Sequence, residues 1–540
     1  MALFLSKTTS SGPSGLQPFS RVHGLPDNFP VFLFLIIPMI FLMSCGSTPE
    51  ITVVDRTAQT VEDDDNDGQE IDDEELRILK MGEVNQIRSF DPLFASNTTT
   101  KRIIQLAYEG LVRFDEHDNI TAAAAKQWDV SSDSLTWTFY LRNDLFFHDD
   151  QSFTQGIGRR VNSRDVIRVF ERMASRDVPP NAAELFMNTI QGFESYYLER
   201  RNIYMDVDRS VTSIRGIEAR NDTTIVFHLE NNGDFLQKLA SPYAVIYPRE
   251  PFLFHRDGLH THAVGTGPFQ FETSIGDSIH IFLRNKYYYR KNEQGQQLPR
   301  VHRLEVLNTS DETSLYSQFT RGLLNMIVDL GPNGVSAMVD ENNELNEDLR
   351  NHYRMESRSD PNPVILRYHP RNLLGLERGD AASLIRNIRV ETIRDDMNNP
   401  LLEITYKDEE YTQANVGRIF QRYGDGQENQ LLFAYKQDLL PRKLSEIIFE
   451  TLDNNLQVDL IQRRVFSRDI FLYLDYLHTY VPGYQHARQP QEILRIETNR
   501  YTIFDQHTRG VRTNNLSWWL DLNHVRMEES SQQNPEAVYR

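Results

Sequence analysis

Hydrophobic and polar positions alternate in short runs along most of this chain. Leu135-Thr-Trp-Thr-Phe-Tyr-Leu141 interleaves large apolar groups with polar ones, the period-two pattern of a half-buried strand. Leu76–Met81, Thr223–Leu229, Ile279–Leu283, His302–Leu307 and Tyr501–Phe504 read as further strands. Thr100–Tyr108 sets Ile103, Ile104, Ala107 and Tyr108 on one face of a helix. Ser163 stands where it would cap a helix running to Arg172, with Val166, Val169 and Phe170 inward. Leu315–Leu323 also reads as helix. Leu431–Tyr435, a helix over Pro441–Leu452, and Val458–Ile461 form a β-α-β unit. A helix over Asp469–Leu477 is expected to carry Asp475. Strands and helices alternate throughout, which predicts an α/β fold with mixed sheets.

One apolar run is of another kind. Val31–Met43 spans thirteen residues around Pro38 and ends at Ser44-Cys45-Gly46-Ser47. As a helix it would reach roughly 20 Å, short of a hydrocarbon core of about 30 Å. That length, behind the basic residues Lys7 and Arg21, suits the apolar region of a signal peptide. A buried core helix is the alternative, but the polar tract that follows disfavours it. Cys45 is the only cysteine of the 540 residues. A small residue before it, and Leu42 three positions before it, resemble a bacterial lipobox. The resemblance implies that residues 1–44 are a lipoprotein signal peptide and that Cys45 carries lipid. With no second cysteine, no intrachain disulfide is available to the fold.

Charge narrows the possible partners. The formal net charge of −20 argues against nucleic acid and against electrostatic binding to an anionic membrane face. The acidity is concentrated in Glu62–Glu75, which holds ten carboxylates in fourteen positions. Such a run repels itself and cannot bury enough apolar surface to fold. Asp63-Asp-Asp-Asn-Asp-Gly68 has the flavour of a calcium loop but lacks the glutamate required at the twelfth position. Residues 45–75 are therefore expected to be a lipidated, acidic tether. About 30 flexible residues reach about 30 Å, and repulsion extends them further.

Six segments, in order, resemble one family. They are Ser89-Phe-Asp-Pro92, Ala107-Tyr-Glu-Gly-Leu-Val-Arg-Phe-Asp115, Trp128–Arg142 followed by Phe147-His-Asp149, Val161–Arg172, Val264-Gly-Thr-Gly-Pro-Phe269, and Arg284-Asn-Lys-Tyr-Tyr288. Together they are similar to the large peptide-type solute-binding proteins of ABC importers, the family 5 group that takes oligopeptides, dipeptides and nickel. The resemblance covers about residues 76–330. It implies a two-lobe periplasmic-binding-protein fold with mixed sheets and a hinge. Lobe I is expected over 76–330, lobe II over 331–490, a return segment over 491–530 and a tail over 531–540. Lobe II looks shorter than is usual. The family's Trp-x-x-Asp-Tyr-x-Asp-Pro motif is missing there, with Leu472 at the Trp position of Leu472-Tyr-Leu-Asp-Tyr476.

The implied function is capture of a peptide or other small solute for an ABC permease, by a monomer lipid-anchored in the cell envelope on its periplasmic or extracellular side. No cofactor is implied. The loop Phe94-Ala-Ser-Asn-Thr98 resembles a pocket-lining position, so Ser96, Asn97 and Thr98 are candidate ligand contacts. Gly265 and Trp518 are further candidates. For Gly265 and Gly267 a structural turn with positive φ or close backbone approach is the competing role. If Trp518 and Trp519 lie on a strand, one of them points inward and one outward. Two rival readings stay open. A shortened lobe II would suit an envelope interaction protein that no longer clamps solute. His255, His260 and His262 would suit a metal site. Enzymatic motifs such as His-Glu-x-x-His, Gly-x-Ser-x-Gly and a phosphate loop do not occur.

Overall fold

The computed structural model describes residues 78–202, 210–360, 363–368, 390–397, 402–406, 431–435, 439–456, 460–463, 472–476 and 491–528. Cys45, the acidic tract and the tail lie outside them. Lobe I starts with strand β1 (Ile78–Glu83) and helix α1 (Thr98–Ala107), followed by β2 (Ala125–Val130), β3 (Thr136–Leu141), α2 (Ser163–Met173), β4 (Ile217–Asn221) and β5 (Thr224–His228). Next come β6 (Phe269–Ile275), β7 (Ile279–Arg284), β8 (Arg303–Asn308), α3 (Glu312–Thr320), β9 (Met326–Val328), α4 (Pro332–Met338) and β10 (Tyr353–Ser359). Lobe II contributes β11 (Val364–Tyr368), β12 (Glu403–Tyr406), β13 (Leu431–Tyr435), α5 (Leu439–Leu456), β14 (Leu460–Arg463), β15 (Leu472–Tyr476) and β16 (Gln491–Glu497), so the sheets carry lobe I on to Ser359 and lobe II to Glu497, past the expected boundaries at 330 and 490. The chain returns to lobe I through β17 (Asn499–Asp505).

Lobe I is built on a seven-stranded mixed sheet of order β10-β17-β9-β1-β8-β7-β6. Both faces are covered, and the side-chain alternation shows it. Met326 and Val328 of β9 pack into the large aromatic-rich core, while Ile327 between them faces the smaller cluster of Leu315, Phe319, Leu330 and Ile503. A four-stranded antiparallel sheet, β2-β3-β5-β4, extends the larger core. Phe139 of β3 meets Phe227 of β5 edge to face, with centroids 5.8 Å apart. Lobe II holds a six-stranded sheet of order β12-β16-β11-β15-β13-β14. The expected β-α-β unit is present: β13 and β14 run parallel, Leu431 opposite Leu460, with α5 between them in sequence.

Two lobes are linked by a ribbon. β10 and β17 pair antiparallel from Tyr353↔Asp505 to Ser359↔Asn499, and β11 and β16 pair from Val364↔Ile496 onward. The same two strand directions thus thread both sheets. Between them the Asp360 N–H donates to the Thr498 carbonyl at 3.0 Å.

Several expectations need correction. Leu472–Tyr476 is a strand between β11 and β13, so Asp475 is paired opposite Ile365 and is not on a helix. Ile470–Leu477 is an almost unbroken apolar and aromatic run, and periodicity alone does not separate a central strand from a buried helix there. Asn162, not Ser163, caps α2, in a reciprocal box with Asp165. Trp518 and Trp519 both point inward. The Trp519 N–H closes a turn onto the Leu516 carbonyl, so strand alternation does not apply.

The matched motifs interlock around one turn. Gly265 and Gly267 have ordinary negative-side backbone and are required by close approach. A Cβ on Gly265 would lie 2.1 Å from the Ala107 carbonyl oxygen, and one on Gly267 would lie 2.6 Å from the Ala107 carbonyl carbon. The Gly267 N–H donates to Ala107 O (3.0 Å), Asn285 Nδ2 donates to Gly267 O (2.9 Å), and His148 N donates to Gly265 O (2.8 Å). Tyr108 Oη donates to Phe90 O and accepts from the Val264 N–H. Arg172 at the end of α2 bonds Asp91 of the Ser-Phe-Asp-Pro turn, with Nη1 to Oδ1 at 2.8 Å. Gly265→Ala should lower the unfolding free energy by about 1–3 kcal/mol through overpacking, measured by denaturant titration. An unchanged midpoint would show that the turn yields.

Candidate functional site

β1 is flanked by parallel neighbours, β8 on one side and β9 on the other. The crossovers from β1 to β8 and from β8 to β9 therefore make β1 a point where the strand order reverses. Open α/β sheets bind ligands in the crevice outside the carboxyl ends of their strands at such a point. Here those ends are Glu83, Asn308 and Val328, and α1, α3 and α4 all begin just beyond them.

A buried charge network lies at this end of β1. Arg102 of α1 sits 1% exposed and donates Nη1 to both Glu83 carboxylate oxygens, at 2.5 and 2.6 Å. Thr99 Oγ1 donates to Glu83 Oε2 at 2.7 Å. Arg102 Nη2 reaches Asp329 and the Ser517 carbonyl (2.6 Å). Arg500 of β17 continues the chain of charges, 3.8 Å from Asp329 and 3.9 Å from Asp360. Asp329 adopts φ +53°, the left-handed region, and is the more exposed end of the network. Burial pushes the Glu83 carboxyl above its ordinary range, against the lowering pull of Arg102. Burial also works against the Arg102 charge, but Glu83 and Asp329 outweigh it and hold the guanidinium protonated.

Ser96 and Asn97 lead into α1, and Thr98 is its first residue. Asn97 has both ends of its amide engaged: Oδ1 accepts from the Thr100 N–H (2.7 Å) and Nδ2 donates to Gln86 O (2.7 Å). It caps α1 and fixes the loop. Ser96 is exposed and Thr98 half-buried. Gly265 sits against the far end of α1, near Ala107, so the structure does not bring it to this loop. Trp518 is buried against Phe114, ring centroids 5.9 Å apart, and its neighbour Ser517 touches the network through its carbonyl.

A cavity of about 590 Å³ opens along the same end of the sheet, lined among others by Gln86, Arg88, Ser89, His260, His262 and His280. Asn308 stands against its wall, and the amide orientation that suits its neighbours donates to Ser278 O (3.0 Å) and His280 Nε2 (2.9 Å) and accepts from the Ile87 N–H (3.0 Å). Of the three histidines singled out in the sequence, two come together and the third stands apart. His255 pairs with Asp150 at 3.0 Å and stacks on His262, whereas His260 bonds Ser89 Oγ at 2.8 Å. Among the described residues no group of three His, Cys, Asp or Glu side chains is placed to hold a metal ion.

Sequence reading missed Glu83, Arg102, Asp329, Arg500 and Asp360. Helical periodicity assigns Arg102 to the face of α1 opposite Ile103, Ile104 and Ala107, yet it is buried. The available signal was a Gly-Glu pair closing the first strand, since a carboxylate at a strand's carboxyl end needs a partner.

Comparison with known proteins follows the same lines. Residues 119–369 match the model of the bacterial extracellular solute-binding proteins, family 5, middle region. The chain is 28% identical over 212 residues to Di/tripeptide-binding protein 1 of Pseudomonas aeruginosa, covering 38% of this chain and 36% of that protein. It is 25% identical over 246 residues to Heme-binding protein A of Haemophilus influenzae, covering 44% and 41%. The matched segments thus span about two-fifths of those relatives' lengths. The fold resembles the ABC transporter-associated periplasmic binding protein DppA from Helicobacter pylori in complex with peptide STSA, with TM-score 0.63, 14% identity, and coverage of 84% of this chain and 98% of that one.

Removing Arg102 alone (Arg102→Met) should cost about 3–5 kcal/mol of stability, because it leaves Glu83 buried and unpaired, and Glu83→Leu with Arg102→Met should recover part of it. Chemical denaturation measures both; equal losses would contradict the pairing. A raised carboxyl pKa in the folded state favours folding most at low pH. The contribution of Glu83 should therefore be complete below its ordinary value of 4.5 and decline as pH rises through the raised value. Glu83→Gln should abolish that slope in a pH series of unfolding curves.

Proposed function

Because the chain belongs to family 5 of the bacterial extracellular solute-binding proteins, we propose that it captures a solute for an ABC importer, and that the solute is a peptide. The observation that supports this reading is the parallel flanking of β1, with the loop beyond its carboxyl end, which carries Ser96 and Thr98, fixed by Asn97. Relatives named for di- and tripeptides support the peptide class. A peptide offers main-chain donors and acceptors to hydroxyls and to strand ends, while a roomy, polar cavity beside them tolerates varied side chains through water. Ser96 and Thr98 are the proposed contacts and Asn97 the group that positions them. Gly265 acts through the turn it permits, and Trp518 through packing. The ribbon of β10–β11 and β16–β17 serves as the hinge about which the lobes close.

We further propose that lipid on Cys45 tethers the protein to a membrane in the cell envelope, with the acidic stretch to Glu75 giving it reach. Protein extracted from membranes should begin, by mass spectrometry, at an acylated Cys45. An unmodified chain retaining residues 1–44 would contradict the anchor.

A thermal-shift screen against peptide pools, haem, nickel and sugars tests the ligand class. Peptides should give saturable stabilisation, about 2.7 kcal/mol at a hundred times Kd. Ser96→Ala with Thr98→Ala should weaken binding about fivefold or more without lowering the apo melting temperature. Stabilisation by haem or nickel and none by peptides would replace the peptide reading, and no response to any probe would favour an interaction protein.

A further inference from the structure

Lys443 lies on α5 of lobe II, and its ammonium reaches lobe I. Nζ donates to Glu312 Oε1 at 2.6 Å and to Asn333 Oδ1 at 2.8 Å. Glu312 opens α3 and Asn333 stands in the first turn of α4, so the lysine bridges the starts of two helices that follow the crevice strands β8 and β9.

The acceptor is arranged in advance by lobe I. Glu312 is only 3% exposed. Its Oε2 accepts from Tyr316 Oη (3.0 Å) and from the Asn333 N–H (2.9 Å), with the Gly334 N–H at 3.4 Å. Gly334 makes room for this: a Cβ there would lie 2.1 Å from Tyr316 Oη. One carboxylate oxygen is thus held by lobe I's own groups, and the other is turned to lobe II. A carboxylate in the first turn of a helix is also favoured by the helix dipole. The neighbouring pair Arg442–Glu446 is different, since it lies within α5 at 3.8 Å with both side chains well exposed. Lys443, by contrast, spends its charge across the lobes.

We infer that Lys443 and Glu312 form a latch that holds the two lobes together. Closing requires only the lysine to be ordered, because Glu312 is already fixed by Tyr316 and the start of α4. Opening leaves Glu312 still bonded on one oxygen and returns Lys443 to water. The contact is therefore reversible, it is weakened by salt, and it biases the lobes without touching solute. Its purpose rests on the solute-capture reading, but its geometry does not.

The test measures lobe separation in the full chain without added solute. Spin labels are placed at Ser317→Cys on lobe I and Glu450→Cys on lobe II, with Cys45→Ser, and distances are read by pulsed electron resonance. Lys443→Met should shift the distribution toward longer distances and reduce the short-distance population about fivefold. Lys443→Arg should retain it, and salt at about 0.5 M should mimic Lys443→Met. Glu312→Gln combined with Lys443→Met should add nothing to the effect of Lys443→Met alone. A distribution unchanged by Lys443→Met, or independent effects of the two changes, would overturn the latch. Since no ligand is present, the outcome stands apart from the result of the peptide screen.

Discussion

A buried ion pair, Glu83 with Arg102, organises the end of lobe I where function is expected. It joins the last residue of the central strand to the helix that follows it. Through Asp329 it reaches the neighbouring strand, through Ser517 the returning C-terminal segment, and through Arg500 the hinge ribbon. Buried pairs contribute little net stability, since desolvation offsets most of the attraction, whereas an orphaned partner is costly. The consequence is geometric. Any arrangement that separates these five segments strands a charge, so this end of β1 has one permitted form.

The ribbon explains how two sheets move as a pair. β10 with β17, and β11 with β16, are paired strands that meet at the hydrogen bond from the Asp360 N–H to the Thr498 carbonyl. Backbone pairing on both sides of that bond ties the two sheets together. Arg500 lies beside that bond and also faces Asp329, so the hinge and the charge network share a side chain. Lys443 and Glu312 meet away from the ribbon, which gives closure a second point of control.

How far the sequence could be read depended on the kind of interaction involved. Alternation in Leu135–Leu141 and the apolar run Tyr501–Phe504 identified strands correctly, because burying one or both faces of a sheet is a local pattern. The glycines of Gly265-Thr-Gly267 were recognised, but their reason is contact with Ala107, not backbone handedness, and that contact is tertiary. Asp475 was assigned to a helix because a central strand loses its polar face. The charged network stayed hidden for the same reason. Arg102 follows Lys101 in a helix whose apolar stripe is elsewhere, and only the fold shows that its outer face is covered by the return segment. Among Ser96, Asn97 and Thr98, which residue is spent on capping α1 is legible only in the coordinates.

The central claim is that this chain closes two lobes around a peptide. Small-angle X-ray scattering in the absence and presence of a saturating peptide pool measures it directly. The account predicts a smaller radius of gyration with peptide, reversed on dialysis. Scattering curves that superimpose at every peptide concentration would contradict it.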